Sequence, residues 1–200
     1  MSETAMILHL IGILLLLLWS VMLISRSKSV SDHDSIDHDS FREKYDADEQ
    51  LIFDFYNKVQ MEQARKDVED TLAVTSEVDE DGLHTYINRD TGYGVFIHYN
   101  VYGKVTLKGI ATPDGESELI ALSNVTVSKD QLANIKKGMT YEWLRFLLGG
   151  EGIEVVCAAN PLDQEKPLCG MAWINPDGTA ITVQLDGFKG TVYSAKYREK

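Results

Sequence analysis

Two stretches of this 200-residue chain carry the same order of apolar positions, and that internal duplication constrains the fold more than any single motif. Laid over one another without gaps, Val59 falls on Ile135, Val68 on Leu144 and Leu72 on Leu148, all at helical spacing. The register continues into period-two segments: Tyr86 to Asp90 lies over Trp173 to Asp177, and Val95, Ile97 and Tyr99 lie over Ile181, Val183 and Leu185. One residue is extra in the earlier turn. A helical pattern followed by an alternating one, twice and in the same order, implies a repeated helix-then-strand unit.

The second copy shows the helical part most clearly. Ser128 with Gln131 forms a capping box, and Gly138 stands where a left-handed residue closes a helix. Thr140 caps the next helix, Trp143, Leu144, Leu147 and Leu148 supply a wide apolar face, and Gly149-Gly150 stop it. In the first copy, Leu51, Ile52, Phe55, Tyr56 and Val59 precede a second segment with Ala64, Val68 and Leu72. There Glu62, Gln63 and Ala64 replace Gly138, Met139 and Thr140, so that hairpin is expected to turn by another geometry or to form one bent helix. Strands are expected over residues 74–78, 83–89, 93–100 and 104–110, and again over 153–158, 171–175, 179–185 and 191–197. Turn signals such as Asp81-Gly82, Tyr102-Gly103, Pro176-Asp177-Gly178 and Asp186-Gly187 separate them. Cys157 and Cys169 flank an insertion between two strands expected to pair. Such neighbours can reach disulfide distance, with two free thiols or half of a zinc site as the alternatives.

Gly138-Met139-Thr140, Leu144, Gly149, Cys157, Cys169 and Trp173 together resemble the repeat unit of the β-lactamase-inhibitor-protein family, and the related small lipoproteins of bacterial outer-membrane assembly. The likeness covers residues 128–197 well. It implies an α+β fold in which two tandem units each pack a helix hairpin on a four-stranded antiparallel sheet. It also implies a Cys157–Cys169 disulfide and a protein partner gripped by the open sheet face and a protruding hairpin. The hairpin Asn175-Pro176-Asp177-Gly178 has no aromatic cluster to insert in a cleft, so the resemblance supports binding without naming β-lactamase as the target.

Upstream of the repeats, residues 5–25 form an almost unbroken apolar run, read as a single-pass transmembrane anchor. No basic segment precedes it and no small-residue cleavage site follows, which disfavours a cleaved signal peptide. Arg26 and Lys28 favour a cytoplasmic C-terminal part; the cysteine pair and the resemblance favour an extracytoplasmic one, the placement adopted here. The expected divisions are 1–28 anchor, 29–47 acidic linker, 48–111 first repeat, 112–127 connector and 128–200 second repeat. Two Asp-His-Asp clusters, Asp32 to Asp34 and Asp37 to Asp39, hold metal-ligand types but no fixed geometry.

A formal net charge of -12 argues against nucleic acid. No phosphate loop, metal motif or activated nucleophile stands out, and His84 and His98 on one hairpin are the nearest thing to a catalytic pair. No catalytic residue, cofactor or metal is therefore expected. On the helix-free face, Phe96, His98, Thr182 and Gln184 are the candidate protein contacts. The expected function is a membrane-anchored, non-catalytic protein-binding module, an inhibitor of an extracytoplasmic enzyme being the form the resemblance implies. The competing reading is a structural accessory of an envelope protein complex.

Overall fold

Each of the expected strands forms, the first shortened to two residues, but they do not build two sheets. A computed structural model describes residues 49–199 except 114–116, 161–162 and 164–165. Helix α1 (49–58) is followed by α2 (Arg65–Leu72) and by β1 (Glu77–Val78), β2 (Leu83–Ile87), β3 (Gly94–Tyr99) and β4 (Val105–Ala111). Next come α3 (Ser117–Leu122), α4 (Lys129–Leu132) and α5 (Tyr141–Leu148), then β5 (Ile153–Ala158), β6 (Leu168–Ile174), β7 (Ala180–Asp186) and β8 (Thr191–Arg198). The strands lie in sequence order in one eight-stranded antiparallel sheet.

This corrects the expectation of two helix hairpins on separate four-stranded sheets. The joint is β4 against β5, where Leu107 pairs with Ala158, Lys108 with Cys157 and Gly109 with Val156, and Ala159 donates its backbone N–H to Thr106 O at 2.7 Å. Separate sheets would leave two further edges of unpaired backbone donors and acceptors, and joining them satisfies those groups. The helical layer is also thinner than expected. In the second half α4 is a single turn of four residues that buries no side chain, although its Ser128/Gln131 capping box is present.

Alternation sets what each face carries. Val95 and Ile97, fully buried, pack with Ile52, Phe55, Val59, Val68 and Leu72 of the first-half helical segments. Ile181, Val183 and Trp173 pack likewise with Ile135, Tyr141, Leu144 and Leu148. Leu119 of α3 and the end of β6 and start of β7, Ile174 and Ala180, join the first cluster, and Ser123 Oγ accepts from Ile174 N at 3.0 Å. The connector is pinned to the same corner by Asn175, whose side chain accepts from Val127 N and donates to Val127 O, both at 2.7 Å.

The two halves repeat their backbone wiring even where the side chains diverge. Gly138 N donates to Val192 O, and Val192 N to Met139 O; in the first half Glu62 N donates to Val105 O, and Val105 N to Gln63 O. Gly138 has φ +84° and Glu62 φ +63°; Gly149, closing α5, has φ +83° and Ala73, closing α2, φ +53°. The first hairpin therefore turns with the same left-handed residues as the second, and the expected alternative geometry is not found. A Cβ in that region costs about 1–2 kcal/mol, so the first half holds the turn against a local preference because the β4 hydrogen bonds require it.

Trp143 departs from its expected place in the core. Helix α5 buries Tyr141, Leu144 and Leu148, whereas Trp143 is 65% exposed and Phe146 80% exposed, their rings edge to face at 5.9 Å. The reason is angular: residues 141, 144 and 148 recur on one side of a 3.6-residue turn, and 143 and 146 lie opposite.

Among the described residues no helix is long and apolar enough to cross a membrane. The longest of them, α1, runs over residues 49–58, about 15 Å of rise against a hydrocarbon core of about 30 Å. The run 5–25 and both Asp-His-Asp clusters lie outside the described residues. The single-pass anchor and the membrane and extracytoplasmic localisation built on it are accordingly withdrawn.

Two stability series check this account by urea unfolding. Glu62→Gly and Ala73→Gly should each stabilise by about 0.5–1 kcal/mol, because relief of left-handed strain exceeds the added entropy of the unfolded chain. Leu144→Ala should cost about 2–5 kcal/mol and Trp143→Ala within about 0.5 kcal/mol; equal losses would put Trp143 in the core after all.

Candidate functional site: the helix-free sheet face

The pairing register decides which side chains share the face away from the helices. Phe96 is opposite Thr85 and Gly109, and His98 is opposite Leu83 and Leu107. On the far side Thr182 is opposite Ala172 and Lys196, and Gln184 is opposite Gly170 and Ser194. Continuity through Leu107, Ala158 and Leu168 places all four expected contact residues on one face, although the corner of that face beside Thr182 is covered, with Ala172, Ile174 and Ala180 buried in the cluster that includes Leu119 of α3. Strands β3 and β7 are four places apart in the order, about 19 Å at the usual strand spacing.

None of the four is freely exposed; each is half-buried. Phe96 lies flat over Gly109, where an added Cβ would meet its ring at 2.0 Å. Beneath and beside it Leu83, Leu107, Val156 and Ala158 form a small apolar cluster belonging to this face alone. His98 Nδ1 is 3.0 Å from Thr106 Oγ1, and Ser194 Oγ donates to Gln184 Oε1 at 2.5 Å. The centre of the face is thus a shallow apolar floor, with polar groups held in place at its margins. Gly109→Val should dislodge Phe96, seen as a shift of the Phe96 ring resonances while the signals of Trp173 stay in place.

Two further exposed aromatics stand at one end of the sheet, Phe188 also lining the cleft beside α1. Hairpins β3–β4 and β7–β8 turn at the same end of the antiparallel sheet, and their tips carry Val101 and Tyr102 in one and Phe188 in the other. Tyr102 is 85% and Phe188 66% exposed. These positions follow the two halves' register, three residues beyond Tyr99 and Leu185, a signal the sequence contained and the turn residues obscured.

His84 and His98 do not converge. His84 pairs with Ile97 and so faces the helices, with Nδ1 3.0 Å from Ser76 Oγ and its ring edge-on to Tyr99. Burial, then the Arg65 charge, lowers its pKa. His98 faces the other way.

Sequence reasoning missed the polar cluster at the β4–β5 joint. Tyr56 Oη donates to Glu154 Oε1 at 2.5 Å, and Lys108 Nζ donates to the carbonyls of Tyr56 at 3.0 Å and Val59 at 2.8 Å, closing the end of α1. The ammonium also sits 4.0 Å from the centroid of the Tyr56 ring. Glu154 Oε2 is buried without a partner, and burial raises the carboxyl pKa despite the Tyr56 hydroxyl and the Lys108 charge. Cys157 and Cys169, directly opposed on β5 and β6, form the disulfide that the resemblance implies, with Cα atoms 4.2 Å apart. Sequence separations of 52 between Tyr56 and Lys108 and 98 between Tyr56 and Glu154 explain why no local pattern disclosed this group. A cleft of about 790 Å³ between α1, the connector and residues 149–154 includes Glu154 in its wall, but the unpartnered oxygen is sealed from solvent.

A raised carboxyl pKa has a definite linkage sign: its contribution to stability is full below the unfolded-state pKa and is lost as pH rises through the folded-state value. Glu154→Gln should therefore gain stability relative to the parent as pH rises from 4 (roughly the unfolded carboxyl value) towards neutrality, measured as the difference in urea midpoint. A pH-independent difference would show that Glu154 ionises without hindrance.

No protein-family model matches this chain, and a search of the curated proteins finds no match.

Proposed function

We propose that this chain is a non-catalytic protein-binding module whose partner lies on the helix-free sheet face and is gripped at its rim by the two hairpin tips. The observation that carries the reading is the β4–β5 pairing, which sets Phe96, His98, Thr182 and Gln184 on one surface. A shallow face fronted by Phe96 over a small apolar cluster, with polar margins, suits a protein surface better than a small ligand, which needs concavity and convergent polar groups. Tyr102 and Phe188 supply large side chains of the kind that dominate binding energy when a partner covers them. The resemblance to the β-lactamase-inhibitor-protein family points to the same use of the face, and inhibition of an enzyme is the form of binding it suggests. The separation of His84 from His98 by the sheet removes the one histidine pair that favoured catalysis.

A second reading rests on Trp143 and Phe146, whose exposed rings, edge to face, fit a structural accessory that docks through α5. Photo-crosslinking separates the two. A photoreactive residue at Thr182 or Tyr102 should give a discrete protein adduct in the source cells, and Thr182→Lys with Gln184→Lys should abolish it without changing the unfolding midpoint. Adducts arising only from position 143 would favour the accessory reading and remove the sheet face.

A further inference from the structure

We propose that Cys157 and Cys169, both buried, and the half-buried Glu154 form a latent site for a thiophilic divalent cation, such as zinc or cadmium, opened when the disulfide is reduced. One ligand atom from each residue already lies within 4.8 Å of the other two. Glu154 Oε1 is 3.7 Å from Cys157 Sγ; a disulfide sulfur has no proton to donate, so this is a contact and not a hydrogen bond. Around a tetrahedral ion with metal–sulfur bonds of about 2.3 Å and metal–oxygen bonds of about 2.1 Å, a sulfur and an oxygen stand about 3.6 Å apart and two sulfurs about 3.8 Å. The carboxylate is thus at ligand separation before any ion enters. The sulfurs come from directly opposed cross-strand residues, and rotation about their Cα–Cβ bonds opens the gap between them.

Charge favours the same conclusion. Glu154 and Lys108 interact within the buried cluster, and Lys108 is the cross-strand partner of Cys157. In the oxidised state one negative and one positive charge balance. Reduction and deprotonation add two thiolates, leaving a buried set that a dication neutralises in full. Glu154 also belongs to the cleft wall, which brings an ion to one side chain from the sulfurs.

The chemistry balances with a dithiol as reductant: its two thiols give up two protons and two electrons, it closes to a cyclic disulfide, and Cys157 and Cys169 become two thiols. Binding of the cation then releases two protons and forms two metal–sulfur bonds and one metal–oxygen bond, the remaining position taken by water.

The test uses the full chain, reduced with a dithiol, freed of reductant under anaerobic conditions and titrated with cadmium. A saturable sulfur-to-cadmium charge-transfer band at one ion per chain is expected, absent from the oxidised protein. Glu154→Gln should weaken the affinity by about tenfold or more with both thiols still titratable. Cadmium NMR of the reduced parent should report oxygen beside two sulfurs, a readout independent of whether the variant folds. No band from a natively folded reduced chain would overturn the proposal. So would unchanged affinity in a folded Glu154→Gln protein, or a cadmium shift showing no carboxylate oxygen. Should reduction unfold the chain, cadmium must restore the native circular dichroism, and failure to do so also overturns it.

Discussion

Three residue pairs across β4 and β5 hold this architecture together. Leu107 with Ala158, Lys108 with Cys157 and Gly109 with Val156 turn two four-stranded meanders into one sheet. From that joint follow the shared helix-free face, the buried Tyr56–Lys108–Glu154 cluster and the position of the disulfide one strand further on. The pairs serve both faces. Leu107, Ala158 and Val156 build the apolar floor, while Lys108 and Cys157 point to the helices, where Lys108 closes the end of α1. A half-buried ammonium is tolerated there because two carbonyls and an aromatic ring surround it.

The backbone of the two halves is repeated more faithfully than their side chains. Glu62 and Ala73 occupy left-handed conformations that Gly138 and Gly149 occupy at little cost. A strained residue persists only where its surroundings over-determine it. Here they do, since the strands that fix the turn, β4 and β8, accept and donate the same hydrogen bonds in both halves. Each hairpin tip carries an exposed aromatic, Tyr102 in one and Phe188, which also lines the cleft beside α1, in the other.

What could be read from the sequence was what local periodicity encodes. The strands, the capping box at Ser128 and the burial of Val95, Ile97, Ile181 and Val183 all follow from spacing. Partner choice between strands 4 and 5 does not, because an apolar edge strand looks the same whether it ends a sheet or continues it. The face of Trp143 was misjudged for a related reason: on an eight-residue helix with five large apolar residues, hydrophobicity marks more than one side, and only the β6–β8 neighbours select Leu144 over Trp143. Of the site, Phe96, His98, Thr182 and Gln184 were legible from alternation, but their half-burial was not, because it depends on Gly109 and on Ser194 across the strand. Glu154 escaped notice entirely, as its partners come from elements far apart in the chain.

The joint between β4 and β5 is tested most directly by amide hydrogen exchange resolved to single residues. A continuous sheet predicts that the backbone amides within the β4–β5 ladder, and that of Ala159 bonded to Thr106 O, exchange as slowly as those between β2 and β3. Exchange of these amides at the rate of a solvent-facing edge, with β2–β3 still protected, would show two independent sheets and contradict the account.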